Sequence, residues 1–215
     1  AGHLTCVGAS RAEINAAIQD YASIGVKHIV ALRGDPPGGV GHRFEPHPEG
    51  YRNAADLVRG ISAIGGFEIS VAAYPEKHPE SVSIEEDLAF MADKAEHGAS
   101  RAISQFFFHN AFFLRLRDRV IARGIAIELV PGILPASSGT QVKRFTALCG
   151  AQLPAPFLAG LEKCGADDAA ATAFGIEYAS AQCADLLKNG VEGVHFYTLN
   201  KAHSTTSILR NLKLA

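Results

Sequence analysis

Asp35 stands two residues after Arg33 at the end of an apolar stretch. An acid so placed can be a catalytic group, a ligand clamp or the mate of a neighbouring cation, and position alone weighs the structural and functional uses evenly. Asp87 and Lys94 are seven apart, about two helical turns, and so share one face of a helix. A solvated face is the plainer reading of that pair, although the compact ammonium of Lys94 would also serve a phosphate. Gln105 sits inside Ile103 to Phe108, where a neutral amide needs hydrogen-bond partners. It can donate and accept, which suits the edge of a heterocycle, with core hydrogen bonding as the default. Gln141 and Phe145, four apart beside the Pro131-Gly132 turn, share a helical face. An amide beside an aromatic could hold a flat ligand, though Phe at that spacing is more often core. The nine histidines, among them His42, His47 and His78, lack the i, i+4 pairing of a helical zinc motif, so no metal is expected. Gly38-Gly39-Val40-Gly41 lacks the spacing of a dinucleotide fingerprint or a P-loop and counts as a weak signal.

The elements that position these residues alternate. Six apolar stretches read as strands: His3 to Val7, His28 to Leu32, Glu68 to Tyr74, Ala102 to Phe108, Ala126 to Val130 and Val194 to Thr198. Longer helical segments separate them, which is the pattern of a parallel α/β sheet. Ser10 to Glu13 and Ser83 to Glu86 fit the S-x-x-E capping box, and Ser138 to Gln141 its Gln variant. Gly25, Gly98 and Gly124 fall where helices must end in a left-handed residue. Near-continuous apolar strands predict a sheet covered on both faces, either doubly wound or a barrel. Polar residues cluster just after the strands, at Arg33-Gly34-Asp35, Tyr74-Pro75-Glu76, Pro131-Gly132 and Asn200-Lys201. Both architectures place ligands at that carboxyl edge. The long segments 35–50 and 131–156 are candidates to carry binding function, and Ser204 to Leu212 reads as a closing helix.

Composition narrows the class. With 215 residues, 47% apolar and 20% charged, the chain is globular rather than disordered or fibrous. A net charge of −2 leaves no general field for nucleic acid. The longest apolar runs fall far short of the roughly 20 residues of a membrane span. Four cysteines, Cys6, Cys149, Cys164 and Cys183, show no C-x-x-C spacing. They read as reduced thiols of a cytoplasmic protein without a secretion leader.

Six motifs then occur in order: His3 to Cys6, His28 to Asp35, Val71 to Glu80, Gln105 to Phe108, Pro131 to Pro135 and His195 to Asn200. Together they resemble bacterial 5,10-methylenetetrahydrofolate reductase over nearly the whole chain. The resemblance implies a (β/α)8 TIM barrel, of which residues 1–215 carry about six βα units, strands 3 to 8, as one domain. The family's first two units, with its general-acid glutamate, have no counterpart here, so the domain is expected to be incomplete at its N-terminal side. It implies FAD at the carboxyl ends of the strands. A hydride would pass from NAD(P)H to the flavin and on to methylenetetrahydrofolate, in ping-pong order, within one-carbon metabolism and methionine biosynthesis. A catalytically silent flavin- or folate-binding barrel domain is the alternative.

Carried over by motif, the implied FAD contacts are His3, Arg33, Gly34, Asp35, Ala54, Tyr74, His78, Ser81, Asp87, Asp93 and Lys94, with Ala72 and Ile103 lining the same site. Arg33, His78 and Lys94 would serve the diphosphate and Asp87 the hydroxyls of the ribityl or ribose. Asp35 would lie beside the isoalloxazine, its charge disfavouring an anionic reduced flavin and favouring a cationic folate iminium. Gln105, Gln141 and Lys201 match folate-binding positions, Gln105 also meeting the nicotinamide, and Phe145 matches an aromatic that stacks on either substrate. Homo-oligomers are expected, with no nucleic-acid or membrane partner. Three residues depart from the pattern: Lys201 for the usual Arg, losing the bidentate fork, Asn53 for Tyr, and His109 for Asp.

Overall fold

A computed structural model describes residues 1–39 and 42–214, so half of the glycine-rich segment, Val40 and Gly41, lies outside the described residues. It shows an α/β fold whose chain divides into two compact units. The first comprises Ala1–Ala73, Val82–Ile103 and Val120–Leu129. Its strands β1 (Gly2–Thr5), β2 (His28–Leu32), β3 (Glu68–Ala73), β4 (Ala99–Ser104) and β5 (Glu128–Val130) lie side by side in chain order. Strand β2 runs parallel to both neighbours, with Val30 opposite His3 on one side and Ser70 on the other. Helices α1 (Arg11–Ser23), α2 (Ala54–Ile64) and α3 (Ile84–Glu96) connect successive strands. Ile29, Val30 and Ala31 of β2 are all buried, as are Ile69, Ser70 and Val71 of β3, so these central strands are covered on both faces as expected. By contrast, β1 is the outer strand of this sheet, and it leaves His3 and Thr5 exposed around a buried Leu4.

The second unit comprises Tyr74–Ser81, Ser104–Arg119 and Val130–Ala215. It holds most of α4 (Asn110–Ala122), then β6 (Gly132–Ile133), α5 (Gly139–Cys149), α6 (Ala155–Cys164), α7 (Asp168–Lys188), β7 (His195–Phe196) and α8 (Ala202–Asn211). Strands β6 and β7 pair in parallel, Gly132 with His195 and Ile133 with Phe196. Phe106, Phe108, Leu134, Phe157 and Leu161 form its core, with Phe145, Tyr178 and Tyr197 packed against them. Phe107 stacks on Phe113 of α4 at 5.6 Å.

Local chemistry explains most boundaries. Ser10 makes the full capping box with Glu13, donor and acceptor both satisfied. At Ser83 only half of it forms: Ser83 caps the Glu86 N–H, while the Glu86 carboxylate accepts from Val82 N–H instead. The Ser138 box does not form at all, because Gln141 accepts from the Ser137 hydroxyl at 2.7 Å. Gly25, Gly98 and Gly124 take positive φ as expected. The fourth strand starts at Ala99 and stops at Ser104, well before Phe108. Beyond Ser104, Phe106 packs edge-on against Phe108 at 6.0 Å while Phe107 goes to Phe113, and all three rings are buried. Strand β6 is additional to the six expected: Pro131-Gly132 reads as a turn, yet Gly132 and Ile133 run parallel to β7. Two departures from the family pattern cap helices. Asn53 accepts from Asp56 N–H at the start of α2, and His109 Nδ1 accepts from Ala111 N–H at the start of α4.

Candidate functional site

In the first unit the expected residues gather at the carboxyl ends of β2 and β3. Arg33, Gly34 and Asp35 follow β2 directly, Arg33 half-buried and Asp35 exposed. The Arg33 guanidinium lies 4.7 Å over the Phe44 ring, and its carbonyl accepts the Cys6 thiol. Burial pushes that thiol up to about 11, so it remains protonated. Gly34 has φ +85°, and a Cβ there would stand 2.6 Å from Val7 Cγ1, so this turn excludes any side chain. Across on β3, the Ala72 carbonyl accepts from the Lys94 ammonium at 2.9 Å. Desolvation lowers the Lys94 amine to about 8, although Asp87 and Asp93 on the same helix pull it upward. Asp93 also meets His97 Nδ1 at 3.0 Å. The seven-residue spacing of Asp87 and Lys94 therefore marks an electrostatic pair rather than a solvated face.

Other members of the implied set lie on other elements of the unit. His3 is exposed on β1, its carbonyl accepting from Tyr21 OH at 3.0 Å. Ala54 is the first residue of α2, and Ile103 is half-buried in β4.

The second unit carries a small half-open hollow. Tyr74, Pro75, Glu76 and Lys77 line one part, Gln105 and Phe106 another, with Cys149 and Ala151 completing it. The loop that starts at Tyr74 is held by its own groups. Lys77, at φ +95°, donates from its ammonium to the carbonyls of His78, at 2.9 Å, and Ser81. The His78 ring meets Tyr74 edge-on at 4.6 Å. Glu76 Oε2 accepts from Gln152 N–H at 3.0 Å, while its Oε1 is buried without a hydrogen-bond partner among the described residues. Burial pushes the Glu76 carboxyl up, against the opposing pull of the Gln152 N–H and of Arg115.

Gln105 is held from several directions. Its Oε1 accepts from Phe106 N–H at 3.0 Å, and its carbonyl accepts from Ser104 Oγ at 2.9 Å. Ser104 Oγ in turn accepts from Gly132 N–H at 2.8 Å, and the Ser104 carbonyl accepts from Tyr197 OH at 2.9 Å. Burial, with Tyr74 and Cys149 nearby, pushes the Tyr197 phenol up to about 12, so it stays a donor. Gln105 thus joins Tyr74 in the hollow, whereas Gln141, Phe145 and Lys201 are not among its walls. Phe145 packs against the core, Gln141 faces Ser137, and Lys201 is exposed at the cap of α8 after two left-handed residues, Leu199 and Asn200. Ser104, Gly132, Tyr197 and the orphaned oxygen of Glu76 were missed as site residues. Glu76 stood in view in the polar cluster after its strand, but only burial of one oxygen singles it out.

Comparison with known proteins places these features in context. The family model described as methylenetetrahydrofolate reductase matches residues 1–213. The 5,10-methylenetetrahydrofolate reductases of Salmonella typhimurium and of Escherichia coli K12 are each 42% identical, aligning with 99% of this chain and 69% of their own length. Among solved structures, a Clostridium thermocellum protein described as binding two copies of 5-methyl-5,6,7,8-tetrahydrofolic acid superposes with a TM-score of 0.51 at 11% identity. It covers 99% of this chain and 93% of that one, a likeness of fold. No helix among the described residues is long and apolar enough to cross a membrane.

Proposed function

Because the chain belongs to the methylenetetrahydrofolate reductase family of oxidoreductases, we propose that it reduces 5,10-methylenetetrahydrofolate to 5-methyltetrahydrofolate with NAD(P)H, by way of FAD and in ping-pong order. The finer fold reading goes with it: a cytoplasmic (β/α)8 barrel domain, of which these residues supply strands 3 to 8, active as a homo-oligomer. The observation that carries the proposal lies at the carboxyl ends of two adjacent parallel strands, where Arg33 and Asp35 follow β2 and the Lys94 ammonium caps the end of β3.

The donor set there suits FAD. A desolvated ammonium and a guanidinium favour an anion such as a diphosphate, and the tight turn at Gly34 brings backbone close to that edge. When bound, the flavin supplies the hydride relay between the two substrates. Arg33 and Lys94 would bind the diphosphate, with His78 as a further donor and Asp87 accepting from hydroxyls. His3, Ala54, Ala72, Tyr74, Ser81, Asp93 and Ile103 would complete the contacts. Asp35 would stabilise positive charge on the folate iminium, and Gln105, Gln141, Phe145 and Lys201 would hold the substrates.

Asp35 gives the proposal its test. An Asp35→Asn enzyme is expected to keep FAD and to accept hydride from NAD(P)H at nearly the normal rate. Transfer to methylenetetrahydrofolate should slow by about a hundred-fold, the size of a lost preorganised charge. Stopped-flow absorbance at the flavin band separates the two half-reactions, and equal losses in both would remove Asp35 from this role.

A further inference from the structure

Within the first unit, Arg59 of α2 and His97, the residue that ends α3, meet across the two helices: guanidinium Nη2 lies 3.0 Å from imidazole Nε2. A guanidinium only donates, so Nε2 must present its lone pair and the ring proton must sit on Nδ1. The other side of the ring agrees. There Nδ1 lies 2.6 Å from the Asp93 carbonyl oxygen and 3.0 Å from Asp93 Oδ1, both acceptors. The charged groups facing the ring are thus Arg59 from α2 and Asp93 from α3 itself, with Lys94 and Glu96 close by in sequence. Behind Arg59 stands Asp56, 3.6 Å from it, which also holds Arg11 of α1. Strand β3, which packs on α3 as well, carries one charged residue, Glu68, and that is paired with His28 and Arg101.

Lys94 shares the last turn of α3 with Asp93, and its ammonium donates to the Ala72 carbonyl of β3. The turn is therefore anchored twice, to the sheet through Lys94 and to α2 through His97. When the ammonium turns towards an anionic ligand, the second anchor is what keeps the turn in place. A second proton on the ring would set an N–H against the guanidinium, donor facing donor and charge facing like charge, while the imidazolium keeps its Asp93 oxygens. Acid then cuts the link to α2 and spares the one within α3.

We infer that Arg59 and His97 form a proton-sensitive tie between α2 and α3 and act as positioning residues for Lys94, so that the hold on a diphosphate weakens in mild acid. This rests on the reading of Lys94 as a diphosphate ligand.

The test titrates FAD into the full chain, followed by flavin fluorescence, at about pH 7 and about pH 5.5, a span over which an imidazole ordinarily gains its second proton. Lys94, its amine at about 8, is already largely charged at the upper value and only gains charge below it. Its own titration would therefore strengthen binding in acid, and protonation of His78 would do the same. The unaltered chain is expected to bind FAD about three- to five-fold more weakly at the lower pH, the scale of a charged contact left partly in solvent. His97→Gln should keep its neutral-pH affinity in acid, since an amide oxygen still accepts from Arg59 and takes up no proton. Arg59→Met should bind at both values as weakly as the unaltered chain does in acid, and it carries the decision alone should His97→Gln fail to fold. A flat profile in the unaltered chain, or an acid loss that survives in either variant, overturns the inference. So does an imidazole nitrogen NMR spectrum that puts the neutral His97 proton on Nε2. Lys94→Met separates the two levels. If it binds FAD as tightly as the unaltered chain, the reading of Lys94 fails and the tie's role falls with it; if it weakens FAD while the unaltered profile is flat, only the tie fails.

Discussion

A Gly132→Ala chain is expected to melt roughly ten degrees lower than the unaltered protein. The added Cβ would lie 2.1 Å from the Ser104 carbonyl oxygen and 2.6 Å from Tyr197 Cε2. The oxygen belongs to backbone already bonded by Tyr197 OH, and the neighbouring Ser104 hydroxyl holds Gly132 N–H itself. Relief of the overlap therefore breaks at least one of these bonds. Overpacking costs about 1–3 kcal/mol and an unsatisfied buried group about as much again. For a protein of this size each kcal/mol is worth roughly 2–4 °C. Circular dichroism melts read the result directly. An unchanged midpoint would mean that β6 shifts freely past the end of β4, contrary to the bonding seen at Ser104.

Opposite pH slopes for folding and for cofactor binding are expected from Lys94. Its amine titrates near 8 in the folded chain, against 10.5 ordinarily. Between those values the unfolded chain holds a proton that the folded one has released, so stability without ligand rises with pH across that window. Below about pH 8 both states are protonated, and the cost of the desolvated charge is present in full. A diphosphate needs the ammonium form, so FAD affinity should fall as pH climbs above 8, approaching about ten-fold per pH unit for one linked proton. Lys94→Met should flatten both profiles and weaken FAD by about ten-fold or more at neutral pH. Quenching of flavin fluorescence from pH 7 to 9.5, alongside thermal melts, measures both slopes. Slopes that survive in Lys94→Met would assign them to another group.

Sequence patterning anticipated the central strands because burial on both faces leaves a near-continuous apolar run, as at Ile29 to Leu32 and, broken only by Ser70, at Ile69 to Ala73. It anticipated the start of α1 because Ser10 and Glu13 carry both halves of a local exchange. The same reasoning overran at Ser138, where a second serine one residue earlier captured Gln141. It overran again at Phe106 to Phe108, where three consecutive buried rings read as the continuation of a strand that ends at Ser104. At the site, Arg33 and Asp35 were visible as charged residues bordering an apolar stretch, and Lys94 by its helical spacing from Asp87. Glu76 and Tyr197 owe their roles to segments distant in the chain, Gln152 and Ser104, and no local pattern carries that information. Asn53 and His109, conspicuous as departures from the family pattern, turned out to perform helix capping.

The bonding around the end of β4 also bears on how such enzymes diverge. Ser104, Gly132 and Tyr197 each hold another of the trio in place, so a lineage that loses one gains nothing by keeping the rest. These three positions should be inherited as a block, drifting together or standing still, while the residues lining the hollow around Gln105 remain free to be tuned one at a time.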